Sequence, residues 1–322
     1  MGYDLQNKKG MDLFRKDVYK GLESQPKTLP SKYFYDAVGD QLFREIMRLP
    51  EYYLPVAELE ILKTNSGKIA EYLLAKKNAF EILELGAGDG SKTLVFLQQL
   101  DESGLDFFYR PLDISGNILK KNHQFISASL PDIAMEGIEG DFFSTLGKLD
   151  RIKANRLTLF MGSNIGNFKP KEAVDFLSFV AAQSITGDLF LIAFDLKKDP
   201  EVILNAYQDE RGVTAKFNLN LLKRINHELG ADFDLSSFQH YPSYNPITGV
   251  TKSFLISKKT QTVHFPDGRS FDFKAYEAIH TEVSCKYDEE KIKYIADAAG
   301  INKIDWWKDS KGYYSLVLFE KK

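Results

Sequence analysis

Short apolar runs and amphipathic segments alternate between positions 79 and 198 of the chain. The apolar runs lie in FEILEL, LDFFYRPLD, IAMEGIEG, RLTLF and GDLFLIAFDL, and short continuous runs of this kind are typical of strands buried on both faces of a sheet. The segments SKTLVFLQQLDESG, GNILKKNHQFISASL and KEAVDFLSFVAAQSI repeat apolar residues at helical spacing. Strands and helices in alternation predict a parallel sheet with helices on both faces.

The segments on either side of this region follow other patterns. Residues 32–75 are mostly helical in character, and prolines interrupt the pattern. Residues 199–230 are again helical, whereas residues 241–287 hold short runs separated by turn residues, which predict antiparallel strands. The chain closes with one more helical pattern, DEEKIKYIADAAG, and with a hairpin whose turn is expected at residues 309–312.

These patterns predict an α/β protein with two domains. We expect a Rossmann-like parallel sheet, completed by the antiparallel closing hairpin, in residues 61–196 and 286–322. An α+β domain is expected from the N-terminal helices together with the inserted antiparallel region, residues 1–60 and 197–285. The closing hairpin gives the first domain an antiparallel last strand, which dehydrogenase sheets lack.

Composition narrows the classes of function. The 322 residues are 43% hydrophobic with a formal net charge of −3, which gives no electrostatic reason to expect nucleic acid or an anionic membrane as a partner. One cysteine excludes an internal disulfide and a cysteine-rich zinc site, and the five histidines show no ligand spacing. No stretch resembles a signal peptide or a membrane span. We therefore expect a cytoplasmic, metal-free protein, and the lack of an obvious exposed apolar helix favours a monomer.

The segment HTEVSCKY, residues 280–287, places two kinds of side chain on the two faces of a predicted strand. Val283, Cys285 and Tyr287 fall on one face and form ordinary core material. Glu282 and Ser284 fall on the other face, where a carboxylate and a hydroxyl lie side by side. Taken alone, this polar face favours solvent over a ligand, since mostly polar strand faces are solvated.

Three glycines follow the first strand of the alternating region in LELGAGDGS. Gly86, Gly88 and Gly90 permit a tight turn and the close approach of a ligand to the backbone. Their spacing, G-x-G-x-G, differs from the dehydrogenase fingerprint G-x-G-x-x-G, and the G-K-[ST] of a phosphate-binding loop is absent. The glycines alone therefore indicate a ligand loop without identifying the ligand.

Three acidic residues sit at the ends of three successive predicted strands. Glu84 lies in position to meet a ligand cation or to brace the glycine loop, and Asp113 lies where a carboxylate accepts both hydroxyls of a ribose. Asp141 and Phe142 suit an adenine, since a carboxylate can accept from the exocyclic amine and a ring can cover the base. Each acid alone could equally be a helix N-cap. The set resembles the S-adenosylmethionine site of class I methyltransferases.

Longer motifs resemble one family within that class. FYDAVGDQLFREIMRLPEYY, FMGSNIGNF, AYQDERGVTAKFNLNLL, ELGADFDL, TEVSCKY and WWKD are similar to motifs of the histidine-specific methyltransferases of ergothioneine biosynthesis. The likeness runs from about residue 32 to the C-terminus. It implies an enzyme that transfers methyl groups from S-adenosylmethionine to the α-amine of L-histidine, giving the trimethylated product hercynine.

The resemblance also implies a role for each matching residue. The residues implied in holding S-adenosylmethionine are Gly86, Lys92, Asp113, Asp141 and Phe142, with Glu84 and Gly88 beside them in the same loop. The residues implied at the amino-acid substrate are Tyr35 and Tyr52 at the amine end, where methyl transfer occurs, Asn167 and Tyr207 at the carboxylate and amine, and Glu282 and Ser284 at the imidazole. Asn167 read alone is equally a turn asparagine.

One position departs from the family pattern. Ser253, in VTKSFLIS, stands where the family often has a methionine close to the imidazole. This change adds a polar group to the side-chain pocket and leaves open the same reaction on another small aromatic amino acid or amine. A third possibility is a binding protein that senses S-adenosylmethionine without turnover, although retention of Tyr35, Tyr52, Asn167 and Tyr207 together favours an enzyme.

Overall fold

The computed structural model describes residues 2–76 and 78–322. Three short 3-10 helices, Ser31–Phe34, Asn164–Asn167 and Leu235–Ser237, occur in them. The α-helices in this part of the chain are α1 Gly2–Glu23, α2 Ala37–Ile46, α3 Leu54–Ala75, α4 Thr93–Glu102, α5 Gly116–Ser129, α6 Phe142–Leu146, α7 Pro170–Ala182, α8 Pro200–Asn205, α9 Val213–Leu229 and α10 Glu289–Ala299. The strands are β1 Lys27–Thr28, β2 Phe80–Leu85, β3 Phe107–Asp113, β4 Ala134–Met135, β5 Ile138–Glu139, β6 Asn155–Phe160, β7 Leu189–Asp195, β8 Phe238–Asn245, β9 Val250–Ser257, β10 Gln261–His264, β11 Ser270–Phe273, β12 Ala278–Cys285, β13 Ile301–Lys308 and β14 Tyr314–Lys321.

The chain divides into two compact units, each built from separate stretches of sequence. The first unit comprises residues 1–53 and 198–284, and the second comprises residues 54–197 and 285–322. The first division falls earlier than residue 61, where the sequence pattern placed it. Helix α3 begins at Leu54 and runs without interruption to Ala75, so it belongs wholly to the second unit.

The second unit contains an eight-stranded sheet with the order β13-β14-β7-β6-β2-β3-β4, and β5 pairs with β3 beside β4. Neighbours from β7 to β4 are parallel, while β14 runs antiparallel to β7 and β13 antiparallel to β14. This confirms the predicted α/β class I methyltransferase fold with its antiparallel last strand. The predicted third strand is present only as the short strands β4 and β5, which are separated by two residues without strand pairing.

The central strands of this sheet form the core of the second unit. All residues of β2 and β7 are buried, as expected for continuous apolar runs covered on both faces. Because β2, β3, β6 and β7 are parallel, their carboxyl ends lie at one edge of the sheet, the edge where ligands bind in open α/β folds. The loops after these strands therefore meet, and they carry the glycines and the acids singled out above.

The first unit contains a four-stranded sheet with the order β1-β12-β9-β8 and a separate hairpin of β10 and β11. Side chains from α1, α9 and the strands form one hydrophobic cluster that includes Phe14, Phe217, Leu255 and Phe273. Burial alternates from residue to residue along strand β9, and Thr251, Ser253, Leu255 and Ser257 are the buried positions. Its buried positions are mostly polar, which is unusual for a core strand and brings hydroxyl groups inside the unit.

The region read as one helical stretch, residues 199–230, is two helices. Helix α8 ends at Asn205 and α9 begins at Val213. The break is stabilised by Asp209, whose carboxylate accepts the backbone N–H groups of Val213 at 2.8 Å and Thr214 at 2.7 Å. These are N–H groups of the first turn of α9, which have no partner within the helix, so an apolar periodicity that continues through the segment is interrupted by a local cap.

The helices in residues 2–76 and 78–322 include none with an apolar stretch that would span a bilayer.

Candidate active site

The glycine loop after β2 exposes bare backbone next to an amide and an aromatic ring. Gly86 and Gly88 have φ values of +73° and +57°, which favour glycine. A Cβ atom added at Gly86 would lie 3.2 Å from Nδ2 of Asn164 and 3.6 Å from the ring of Phe142, whereas one added at Gly88 would meet nothing within 4 Å. The loop therefore has open space along Gly88 and close neighbours at Gly86, an arrangement that fits a flat ligand group lying along the backbone.

Asp113, the last residue of β3, braces this loop. Its Oδ2 accepts the Gly88 N–H at 3.1 Å and its Oδ1 accepts the Ser115 N–H at 3.0 Å. Burial raises the pKa of the Asp113 carboxyl above its usual value, and the backbone hydrogen bonds oppose that shift. Each oxygen keeps a second lone pair, so the carboxylate can hold the loop and also accept hydroxyl groups of a ligand.

Asp141 and Phe142 occupy the start of α6. The Asp141 carboxylate accepts the Ser144 hydroxyl and, at 3.0 Å, the Ser144 backbone N–H. These bonds lower the pKa of Asp141. The local geometry is thus that of an N-cap, one of the two interpretations the sequence allowed, and contact with an adenine amine stays a prediction. The Phe142 ring packs against Phe160 and Phe176, with centroids 6.0 and 5.6 Å apart.

Glu84 is directed at its own neighbours in the sheet. One carboxylate oxygen accepts the Thr93 hydroxyl at 2.7 Å, and the other accepts the Tyr109 hydroxyl. Burial raises the pKa of Glu84 to about 7, and these hydrogen bonds only partly oppose the shift. Of the two roles that the sequence suggested, Glu84 has the geometry of the loop brace, because it ties β2 to the start of α4 and to β3. A contact with the cosubstrate stays a prediction.

We expect Glu84→Gln to become more stable relative to the wild type as the pH rises from about 4.5 to about 7. In this window the folded protein, with its Glu84 pKa of about 7 against an ordinary 4.5, binds more protons than the unfolded chain, so its free energy of unfolding falls as the pH rises. Glutamine does not titrate and can still bond both hydroxyls. The difference in unfolding free energy should grow by up to about 3 kcal/mol, measured by denaturant unfolding at about pH 5 and about pH 8. If the difference in unfolding free energy between the variant and the wild type is the same at both pH values, burial does not raise the pKa of Glu84 as expected.

Lys92 forms an ion pair with a buried acid that sequence reasoning missed. Its ammonium group donates to Oε2 of Glu58, a residue of α3 that is fully buried. The other carboxylate oxygen of Glu58 accepts the backbone N–H of Gly162 at 2.6 Å and the hydroxyl of Tyr314 at 2.9 Å. The Lys92 side chain remains 31% exposed. Lys92 is therefore held at the edge of the loop region, with part of its surface open to a ligand.

The loop after β6 has two consecutive residues in the left-handed region, Gly162 at φ +69° and Ser163 at φ +56°. For serine this conformation costs on the order of 1 kcal/mol or more, and here it is fixed by contacts. The Ser163 hydroxyl accepts the backbone N–H of Asp195, at the end of β7, at 3.0 Å. The two left-handed residues turn the chain, and the 3-10 helix that follows starts with Asn164 beside Gly86.

Asn167 is the last residue of this 3-10 helix, and its side chain is exposed. The backbone carbonyls on either side of it accept hydrogen bonds from the end of β12 and from the segment directly after it. The Tyr287 hydroxyl donates to the carbonyl of Ile165 at 3.0 Å, and the Cys285 thiol donates to that of Phe168 at 3.3 Å. Cys285 and Tyr287, which the sequence assigned to the core, are buried and at the same time anchor the loop that presents Asn167.

In the first unit, aromatic contacts link Tyr35 to Tyr52. The rings of Tyr35 and Phe43 meet edge-on at 5.6 Å, and the same Phe43 meets Tyr52 at 6.4 Å. Tyr35 also contacts Phe217 of α9 at 5.8 Å. Tyr35 keeps 48% of its surface exposed, a large value for an aromatic residue with these neighbours. The structure thus brings the two tyrosines assigned to the amine end into one aromatic group with an accessible face.

Tyr207 lies in a second group of tyrosines in the same unit. It is 7% exposed, and Tyr52, Tyr53 and Tyr244 pack against the cluster that contains it. The backbone carbonyl of Tyr207 accepts a hydrogen bond from Nε2 of His240 at 3.0 Å. Burial lowers the pKa of that imidazole, so His240 is neutral near pH 7. Tyr52 belongs to both aromatic groups and connects Tyr35 with Tyr207.

Glu282 and Ser253 are hydrogen-bonded to each other. The Ser253 hydroxyl donates to Oε2 of Glu282 at 3.0 Å, and Ser253 is 1% exposed. Glu282 is partly buried and Ser284 is buried, so this polar pair of β12 does not form a fully solvated strand face. The serine that departs from the family pattern is therefore a partner of the carboxylate assigned to the ring.

Some residues of these groups have no strong sequence signal. Glu58 lies just beyond the motif FYDAVGDQLFREIMRLPEYY and Asn164 lies within FMGSNIGNF, but nothing in their spacing distinguishes them from ordinary helix and loop residues. Tyr53 and Tyr244 are two of 16 tyrosines, and only packing separates them from core residues. Within residues 2–76 and 78–322, no group of three or more His, Cys, Asp or Glu side chains could hold a metal ion.

The glycine loop, the bracing Asp113, the aromatic wall at Phe142 and the antiparallel last strand define a class I S-adenosylmethionine-dependent methyltransferase. The residues present fit that cosubstrate: an open backbone at Gly88, a carboxylate with free lone pairs, and a fixed ring beside Gly86.

The family is identified by comparison with known sequences. A family model described as histidine-specific methyltransferase, S-adenosylmethionine-dependent, matches residues 14–321. The chain therefore belongs to the S-adenosylmethionine-dependent histidine-specific methyltransferase family, which confirms the resemblance seen in the motifs. It is an N-methyltransferase, and S-adenosylmethionine is its methyl donor.

The names of similar proteins include two different amino-acid substrates, histidine and tryptophan. The Histidine N-alpha-methyltransferase of Mycolicibacterium smegmatis is 38% identical over 308 residues, which covers 95% of this chain and 94% of that protein. Ergothioneine biosynthesis protein 1 of Schizosaccharomyces pombe is 32% identical over 300 residues, covering 91% of this chain and 39% of that protein. The L-tryptophan methyltransferase trpM of Psilocybe serbica is 27% identical over 334 residues, covering 94% of this chain and 91% of that protein.

Proposed function

We propose that the protein transfers methyl groups from S-adenosylmethionine to the α-amine of L-histidine and that three transfers give hercynine. The observation that carries this proposal is the partly buried carboxylate of Glu282, held by Ser253 and followed by Ser284 on the same strand. The 38% identity to a histidine Nα-methyltransferase over nearly the whole of both chains supports the same substrate.

The imidazole of histidine matches these polar groups in number and kind. A neutral imidazole has one N–H donor and one nitrogen acceptor, so it needs one acceptor and one donor in the pocket. Glu282 accepts from the ring N–H, and Ser284 donates to the other nitrogen. The Ser253 hydroxyl donates to one oxygen of Glu282 and helps to orient the carboxylate. A ring nitrogen left without a partner on binding would cost roughly 1–3 kcal/mol.

The amine end needs positioning more than chemical assistance. When bound, S-adenosylmethionine supplies an electrophilic methyl group on a sulfonium. The tyrosine faces of Tyr35 and Tyr52 favour a cationic group, each by about 0.5–2 kcal/mol, and the product is a quaternary ammonium. Tyr207 and Asn167 are assigned to the carboxylate and amine. Alignment of the reacting groups alone contributes up to about 7–11 kcal/mol in favourable cases.

A second candidate is the same reaction on another small aromatic amino acid. The tryptophan-methylating relative favours it, as does the serine at position 253. An indole has one ring nitrogen, which is a donor only. It would donate to Glu282 but offer the Ser284 hydroxyl no ring nitrogen as an acceptor, so the arrangement fits histidine better.

The test is turnover of the purified protein with S-adenosylmethionine and an equimolar panel of amino acids and biogenic amines, followed by mass spectrometry. We expect histidine alone to gain three methyl groups. Methylation of tryptophan or another amine with histidine unchanged would replace the proposed substrate while keeping the reaction. Absence of any methylated product, together with binding of S-adenosylhomocysteine, would favour a sensor protein instead.

We further propose that the protein acts as a cytoplasmic monomer on this small molecule, without nucleic acid or membrane. The net charge of −3 gives no electrostatic reason for a nucleic-acid or anionic-membrane partner, and a single cysteine, the buried Cys285, is compatible with a reducing compartment. Light scattering coupled to size-exclusion chromatography checks the oligomeric state, and a mass of twice the chain would contradict it.

A further inference from the structure

Glu58 is a buried carboxylate that the proposed reaction does not use. It is 0% exposed and sits on α3, the helix that precedes β2. Burying a carboxylate is costly unless its oxygens are fully paired. The groups that pair with Glu58 therefore indicate what it does.

The partners of Glu58 come from three separate places in the second unit. Lys92 donates from the start of α4, Gly162 donates its backbone N–H from the loop after β6, and Tyr314 donates its hydroxyl from β14. The Lys92 ammonium also lies near Gly162 directly, 3.6 Å from where a Cβ on that glycine would be. One carboxylate therefore fixes both the cation next to the glycine loop and the first residue of the strained turn that leads to Asn167.

We propose that Glu58 is a positioning residue of this enzyme: it sets Lys92 for binding of the cosubstrate and holds the Gly162 turn in its left-handed conformation. The inference rests on the proposed function, because Lys92 is assigned to the cosubstrate by its motif. Glu58 itself touches neither ligand. Its effect on cosubstrate affinity passes through Lys92, and its effect on the amino-acid substrate passes through the turn.

A double-mutant cycle tests the first effect, with S-adenosylhomocysteine as the probe in isothermal titration calorimetry. We expect Glu58→Gln and Lys92→Met each to weaken binding about tenfold, the scale of one charge-assisted hydrogen bond. The double variant should bind about as well as Lys92→Met alone, because Glu58 has nothing left to position. Losses that multiply in the double variant would overturn the proposal, since a merely structural role acts independently of Lys92.

Glu320→Gln is the matched control. Glu320 also ties β14 to the C-terminal end of α3, through Lys76 directly after that helix, at 2.5 Å. It pairs with Leu189, the first residue of β7, and therefore lies at the opposite edge of the sheet from the ligand loops. It should leave the affinity unchanged within about twofold, and a tenfold loss would mean that any link between these two elements matters. Unfolding by denaturant establishes that each variant is folded. If Glu58→Gln does not fold, Glu58→Asp enters the same cycle, because its shorter side chain keeps the charge but cannot reach both Lys92 and Gly162.

The turn gives a second readout that a defect in cosubstrate binding alone would not produce. At saturating S-adenosylmethionine, Glu58→Gln should still raise the KM for the methylated amino acid about tenfold, whereas Lys92→Met should leave that KM near the wild-type value. Equal KM values for the two variants would contradict the role at Gly162. A wild-type protein that fails to bind S-adenosylhomocysteine would instead refute the proposed function, so the two failures are distinguishable.

Discussion

Asp113→Asn weakens the binding of S-adenosylhomocysteine by roughly 100-fold, the largest effect expected of any single change at the cosubstrate loop. The carboxylate holds Gly88 and Ser115 through their backbone N–H groups and has lone pairs left for ribose hydroxyls. Asparagine turns an NH2 group toward one of these donors, so it loses a loop contact and a ligand contact together. It also removes the charge that strengthens the remaining bonds.

Calorimetric titration measures this loss, and Asp101→Asn, an exposed change on α4 of the same unit, is the control. The wild-type affinity should also fall at acidic pH, because the protonated form of Asp113 accepts fewer hydrogen bonds. Since burial raises the pKa of Asp113, this fall should begin at a higher pH than it would for an ordinary aspartate. This pH dependence should be absent in Asp113→Asn. A variant that binds within about threefold of the wild type would exclude Asp113 from the ribose contact.

Glu282→Gln is expected to raise the KM for histidine by roughly 30-fold to 100-fold while leaving the affinity for S-adenosylhomocysteine unchanged. Glutamine keeps an oxygen that accepts the Ser253 hydroxyl, so the local packing survives. The ring N–H loses a charged acceptor, worth about 1.5–3 kcal/mol. Steady-state kinetics with histidine measures the change in KM.

Ser253→Ala tests how much the hydrogen bond from Ser253 contributes to the role of the Glu282 carboxylate. It removes the hydroxyl at 3.0 Å without changing any charge, so we expect a loss of only about threefold to tenfold in kcat/KM for histidine. An effect as large as that of Glu282→Gln would mean that Ser253 contacts the ring itself, as a residue at a methionine position of the family would.

The sheet and the position of the ligand loops were predictable because short apolar runs and glycines determine them locally. The strands at FEILEL and LFLIAFD lie where the sequence pattern predicted them. Both strands are fully buried, and burial on both faces requires the short, mostly apolar runs that the pattern shows. The break between α8 and α9 was not predictable from periodicity. It depends on the Asp209 cap, and a side chain that caps a helix looks in the sequence like any polar residue.

The identities of the candidate site residues came from motifs, but their contacts required the fold. Asp141 reads equally as a cap or as a ligand, and its bonds to Ser144 are visible only in three dimensions. Glu58 and Gly162 are far apart in sequence and meet because α3 packs beside the loop after β6. Pairings of this kind depend on tertiary packing, to which local pattern is insensitive.

The left-handed turn at Gly162 and Ser163 has a consequence for the energetics of ligand binding. Its contacts with Glu58 and Asp195, and the anchors on either side of Asn167, are all made within the protein. The conformational entropy of this loop is therefore lost when the chain folds and not when a substrate arrives. The loop's contribution to substrate affinity then comes from its contacts with the substrate, without an entropic cost of ordering the loop. Product can likewise leave while the loop stays folded.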